Sequence, residues 1–170
     1  MNEHISTDFW PQEKPALYSL LVKQLAALME GEEHPLPAMA NASALLWHAM
    51  PDINWVGFYL NTGRQELLLG PFQGKPACIR IPYERGVCGA AARENRTQLV
   101  PDVHQFPGHI ACDSASNSEV VIPLIKDGTL LGVLDIDSPI LTRFDTEDAE
   151  GLEKLCTVLM NDVDWSNGLL

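Results

Sequence analysis

Leucines at helical spacing open the chain: Leu17, Leu20, Leu21, Leu25 and Leu28 recur within Ala16–Glu30 and predict a helix that Gly31 is placed to end. After Pro35 and Pro37, the Ala-, Leu- and Met-rich run Ala38–Met50 predicts a second helix, closed by Pro51-Asp52. The period then shortens to two. Ile53–Leu60 and Gln65–Leu69 read as strands joined by the turn Asn61-Thr62-Gly63-Arg64, and Ala77–Ile81 alternates as a third, with Ile79 and Ile81 on one face and Cys78 and Arg80 on the other. Gly86-Val87-Cys88-Gly89 leads into a short Ala-rich helix over Ala90–Asn95, with Cys88 near its start, and Gln98–Pro101 reads as a short strand. The β-branched runs Glu119–Ile125 and Thr129–Ile136 flank Asp127-Gly128, a strong hairpin-turn signal. Asp145 then caps a closing helix over Thr146–Asp164 that carries acids in its first turn. Strands joined in pairs by tight turns imply an α+β fold, a mostly antiparallel sheet with helices covering one face. Residues 1–14 read as a loose arm, and the absence of a repeat or second linker predicts one domain over 1–170.

Charge narrows the partners. The 170 residues carry 11 Lys+Arg against 23 Asp+Glu, a net charge of −12, and such a field repels polyphosphate, which excludes nucleic acid as an expected ligand. No basic-then-apolar leader opens the chain and no stretch approaches the roughly 20 apolar residues that span a bilayer, so the expectation is a cytoplasmic protein with no membrane partner.

In a reducing cytosol the four cysteines, Cys78, Cys88, Cys112 and Cys156, point to redox cycling or plain burial rather than permanent bridges. Their spacing contains no CxxC or paired-His knuckle, so no metal site is expected, although His104, His109 and Cys112 offer a weaker alternative. Cys112 lies in a run of small and polar residues, Gly108 to Glu119, whose backbone N–H groups can form an anion-binding concavity or simply a solvated loop. Cys88 at a helix start is either a thiol of lowered pKa or a small packing residue. Cys78 is equally a partner thiol or a polar-face residue, and Cys156, beside Leu152 and Leu155, reads as core. Three acids form a second constellation. Asp135 and Asp137 flank Ile136 and share a strand face, while antiparallel pairing brings Glu119 to the same end of the hairpin. Mutual repulsion and burial there would raise at least one pKa, against the plainer reading of a turn lined with solvated acids. Trp55 and Tyr59, four apart on one strand face, are core or the wall of a pocket for a methyl or thioether group.

Taken together, Cys78-Ile-Arg-Ile-Pro, Arg85-Gly-Val-Cys88-Gly, Asp102-Val-His, Gly108-His-Ile-Ala-Cys112-Asp, Ser116-Asn-Ser-Glu119 and Gly132-Val-Leu-Asp135-Ile-Asp137-Ser resemble the signature of the free methionine-(R)-sulfoxide reductases, over about Trp55 to Leu159. The resemblance implies a GAF fold, a six-stranded antiparallel sheet flanked by helices, usually in a homodimer. It implies an enzyme that reduces free methionine-(R)-sulfoxide with no bound cofactor or metal. By similarity Cys112 would attack the sulfoxide sulfur, Glu119 or Asp137 would protonate the departing oxygen, and a sulfenic acid would remain. Cys78, or else Cys88, would condense with it to a disulfide that thioredoxin reopens, drawing on NADPH through thioredoxin reductase. Glu119, Asp135 and Asp137 would hold the ammonium of the amino acid, the loop around Ser116 its carboxylate, and Trp55 with Tyr59 its methyl group. The competing expectation is a GAF module that senses a small molecule without turning it over; three cysteines and three acids in register favour the enzyme.

Overall fold

A computed structural model describes residues 10–108 and 113–166. Four α-helices, α1 (Lys14–Leu28), α2 (Pro35–Ala49), α3 (Gly86–Glu94) and α4 (Thr146–Asp162), accompany six strands, β1 (Trp55–Asn61), β2 (Glu66–Gly74), β3 (Arg80–Pro82), β4 (Gln98–Val100), β5 (Ser118–Lys126) and β6 (Thr129–Ser138). The strands form one antiparallel sheet in the order β3-β2-β1-β6-β5-β4. Among the described residues no helix is long and apolar enough to cross a membrane.

The pleat assigns alternate residues to two cores. Val56, Phe58 and Leu60 of β1, Val120, Ile122 and Leu124 of β5, and Leu134 and Ile136 of β6 pack against α1, α2 and α4. Trp55, Tyr59, Val121 and Val133 face the other way and meet Val87, Cys88, Ala91 and Ala92 of α3. Helices therefore cover both faces, where the sequence pattern predicts one: α3 lies on the second face, and its Ala-rich surface allows it to lie close to the strands. The half-buried Trp10 packs against the larger core beside α1.

Most element boundaries move by a residue or two from the periodicity, and four differences have a consequence for the site or a clear physical reason. α2 begins at Pro35 rather than Ala38, because first-turn N–H groups have no acceptor within the helix and a proline there forfeits nothing. β2 continues past Leu69 to Gly74. The register against β1 slips between Gly57 and Tyr59, and this bulge absorbs Gly70-Pro71, the pair that reads as a strand end. α3 starts at Gly86, so Cys88 lies inside its first turn. Cys78 precedes β3 rather than sitting on it, and Ile79, predicted to share a face with the buried Ile81, is 68% exposed.

The central hairpin follows its prediction: Asp127 and Gly128 both take positive φ, 51° and 76°, as a two-residue turn matched to strand twist requires. At the chain's other end Asp145 caps α4 through a capping box with Asp148. Asp148 is buried, accepts 2.7 Å from the Tyr18 hydroxyl and pairs at 2.6 Å with Lys14, which fastens α1 to the start of α4.

Candidate active site

The three acids converge by strand register. Glu119 of β5 pairs with Asp137 of β6, Asp137 with Trp55 of β1, and in the next row Asp135 pairs with Gly57. Odd positions of these strands face α3, so the carboxylates project under its N-terminal turn, where Cys88 Sγ lies 4.0 Å from Glu119 Oε1. The resulting pocket has a floor of Cys88, Glu119, Asp135 and Asp137, a wall of Trp55, Tyr59 and Ile81, and a rim of Lys75, Asp113 and Ser116.

Burial dominates the electrostatics. Glu119 and Asp135 are 5% and 6% exposed. Desolvation, then the charges of Asp135 and Asp137, push Glu119 well above the usual carboxylate range; desolvation, then Asp135 and Asp113, do the same to Asp137. Asp135 is also raised by burial, but hydrogen bonds from Cys88 and Glu119 restrain it to about 6. Asp135 is therefore the member that is ionised near neutral pH, flanked by two acids that hold their protons. Among the described residues its buried Oδ1 has no hydrogen-bond partner. A buried carboxylate oxygen left bare is costly unless a donor arrives from outside.

The thiols separate into distinct environments. Cys88 is fully buried, and desolvation together with Asp135 and Glu119 raises its pKa far above the ordinary thiol value. The expected lowering at a helix start does not occur here, since burial beside carboxylates outweighs the helix dipole. Cys78 is half-buried and disulfide-bonded, and its carbonyl accepts 3.0 Å from the Tyr59 hydroxyl. Cys156 is a buried free thiol in the helical core, raised by desolvation, as its apolar neighbours predict. Cys112 and His109 lie outside the described residues; His104 Nε2 is 2.9 Å from Asn117 Oδ1.

The aromatic pair is a stack of three. Trp55 lies 5.7 Å from Tyr59 and 5.3 Å from Phe72, at interplanar angles of 24° and 15°. Gly57 makes the stack possible: a Cβ there would fall 2.3 Å from Phe72 Cβ and 2.8 Å from Trp55 Cη2. Trp55 Nε1 donates 3.1 Å to the Lys75 carbonyl, fixing the ring against the rim. Phe72 escapes the sequence reading because β2 seems, from Gly70-Pro71, to have ended before it.

The rim holds three more residues that periodicity does not single out. Asp113 pairs with Lys75 at 3.1 Å and accepts 2.9 Å from the Ala115 N–H, contacts that hold its carboxyl below the usual range. Asn54 Nδ2 donates 3.1 Å to Ser116 Oγ and 3.4 Å to Asp113 Oδ2. Ser116 is thus buried at the pocket edge, and the loop on this side is tied to the strand that carries Trp55. These partners come from three distant segments, so only their direct proximity to Cys78, Cys112 and Trp55 in sequence hints at them.

The pocket joins a buried carboxylate with one oxygen unpartnered among the described residues, two proton-holding acids and an aromatic wall, features that suit a small cation with an apolar tail. The GAF domain profile matches residues 36–163. The chain is 53% identical over 146 residues to the free methionine-R-sulfoxide reductase of Escherichia coli (strain K12), covering 86% of this chain and 88% of the relative. It is 46% identical over 153 residues to the protein of that name from Saccharomyces cerevisiae, covering 86% and 85%. The X-ray structure of free methionine-R-sulfoxide reductase from Neisseria meningitidis in complex with its substrate superimposes with a TM-score of 0.88 at 42% identity, over 98% of this chain and 97% of that one. By its domain, its fold and these relatives, the chain belongs to the GAF-domain family of free methionine-R-sulfoxide reductases.

Proposed function

We propose that this enzyme reduces free L-methionine-(R)-sulfoxide to methionine, with Cys112 as the attacking thiol and Cys78 as the thiol that resolves it. The observation that carries the substrate assignment is the bare, buried Asp135 Oδ1 facing a pocket walled by Trp55 and Tyr59. An α-ammonium supplies the donor that Asp135 lacks, and the methyl group of the sulfoxide packs on the indole face. The substrate carboxylate is assigned to the backbone amides of the loop near Ser116, and a residue inside a peptide has neither of these charged groups to offer.

In the reaction Cys112 sulfur bonds to the sulfoxide sulfur, and Glu119 or Asp137 gives its proton to the departing oxygen. The S–O bond and the new sulfur–sulfur bond then break as that oxygen passes to Cys112, and the proton lost by the Cys112 thiol restores the acid, so methionine is released and a sulfenic acid remains. The Cys78 thiol then displaces water from the sulfenic acid and a disulfide forms. The disulfide at Cys78 supports this second half of the cycle, and the buried, proton-holding Cys88 is the weaker candidate for resolver. A thioredoxin dithiol, itself reduced from NADPH by thioredoxin reductase, returns the enzyme to the dithiol state by thiol exchange. No bound cofactor enters this cycle, and a homodimer is the proposed assembly.

Loss of the R and S epimers of free methionine sulfoxide, followed separately by chiral analysis with thioredoxin, its reductase and NADPH present, tests the proposal. The R form alone should disappear, and Cys112→Ser should abolish its loss. Turnover of neither epimer by folded, fully reduced protein would make a small-molecule sensor the better account.

A further inference from the structure

The floor of the pocket brings together a thiol and two carboxylates drawn from three elements. One ligand atom each from Cys88 of α3, Glu119 of β5 and Asp135 of β6 lies within 4.8 Å of the others. A tetrahedral zinc ion with bonds of about 2.3 Å to sulfur and about 2.0–2.2 Å to oxygen needs its ligands roughly 3.5 Å apart, so side-chain adjustments of an ångström or less complete the set. Asp137 lines the same floor, and water can complete the coordination. A further observation marks the spot as a place for a cation: beyond the hydrogen bonds Asp135 receives from Cys88 and Glu119, its buried Oδ1 has no hydrogen-bond partner among the described residues.

We propose that Cys88, Glu119 and Asp135 form a binding site for a thiophilic divalent cation, Zn²⁺ above all. Sulfur decides between metals. A thiolate beside carboxylates favours zinc and its soft neighbours, whereas magnesium seeks an octahedron of oxygens and retains water. The chain's spacing shows no metal motif, because the three ligands are separated along the sequence and meet only through sheet register and the docking of α3. If Asp135 receives the substrate ammonium, which rests on the function proposed above, metal and substrate share one carboxylate and exclude each other. Zinc would then act as a reversible brake on the enzyme.

The test uses the full chain with Cys78→Ser and Cys112→Ser, so that the redox thiols cannot bind metal. Calorimetry with Zn²⁺ should give one equivalent bound, and Co²⁺ should produce a thiolate-to-cobalt charge-transfer band in the near ultraviolet. Adding Cys88→Ser should erase the band. Asp135→Asn, which keeps the thiol, should weaken Zn²⁺ by more than the roughly 10- to 100-fold that loss of a supporting group costs a metal site, with circular dichroism confirming that each variant folds. Free methionine should raise the apparent Zn²⁺ dissociation constant in proportion to its concentration. Absence of stoichiometric Zn²⁺, or a band that survives Cys88→Ser, or affinity unmoved by Asp135→Asn, overturns the site; Zn²⁺ affinity indifferent to methionine overturns the overlap. Turnover of the metal-free, unsubstituted enzyme is measured separately, so a failed reductase assay and a failed metal titration remain distinct results.

Discussion

Asp135 differs from Glu119 and Asp137 in receiving hydrogen bonds from both Cys88 and Glu119, and this inequality assigns the protons among three buried acids. With its pKa near 6, Asp135 loses the charge that would hold an ammonium as pH falls through that value. The expected kcat/KM for free methionine-(R)-sulfoxide therefore declines on the acid side with a midpoint near 6, through a rise in KM, and Asp135→Asn shows a low value with that acid limb gone. Pre-steady-state pH profiles of both proteins check this; a parent profile flat between pH 5 and 7 would remove Asp135 from the role. Cys88 yields a second expectation. In the Cys78→Ser, Cys112→Ser background its buried thiol should react with iodoacetamide on the order of 100-fold more slowly than an exposed cysteine. Labelling at the rate of a free thiol would restore Cys88 as a candidate resolver.

Among the elements, the crossing of α1 and α4 is the tightest. A Cβ on Gly151 would lie 2.1 Å from Tyr18 Cγ, and the Tyr18 ring cannot swing aside while its hydroxyl is held by buried Asp148. Gly151→Ala should destabilise the protein by about 1–3 kcal/mol, the usual range for overpacking, seen as a lower urea midpoint with an unchanged m-value. The helices and the β5–β6 hairpin are legible in sequence because their signals are local: a 3.6 period, a capping acid, an Asp-Gly turn between alternating runs. The convergence of Glu119, Asp135 and Asp137 follows from the same alternation plus antiparallel pairing. What escapes is what depends on distant segments. A bulge hides Gly70-Pro71 inside β2 and with it Phe72. The side of the sheet that α3 covers, and the reversal of the expected Cys88 shift, are set by docking rather than by periodicity. Asn54, Lys75 and Asp113 have no period at all and matter only once the loops meet.

At the scale of the whole molecule the site is an electrostatic cost to the fold. Asp135 titrates near 6 when folded against an ordinary value of 3.8, so between these values the native state holds more proton than the unfolded chain. Its contribution to stability is greatest below about pH 4, falls as pH rises through 6, and is level above; Glu119 and Asp137 act in the same direction. Asp135→Asn should accordingly stabilise the enzyme at pH 7 by about 1–3 kcal/mol, an advantage that vanishes by pH 4. Urea denaturation of parent and variant at the two pH values measures it, and a variant weaker at pH 7 would contradict the cost. The pleat of the sheet confines that burden to one side. Along β6, Leu134 and Ile136 belong to the large helical core, while Val133 belongs to the smaller core under α3 and Asp135 and Asp137 line the pocket. Adjacent residues of a single strand thus answer to separate physical constraints. A mutant library restricted to the pocket-facing positions Trp55, Glu119, Asp135 and Asp137 would sample new ligand preferences while leaving the large helical core intact, whereas the same number of changes at Val56, Phe58, Leu134 and Ile136 would chiefly yield proteins that do not fold.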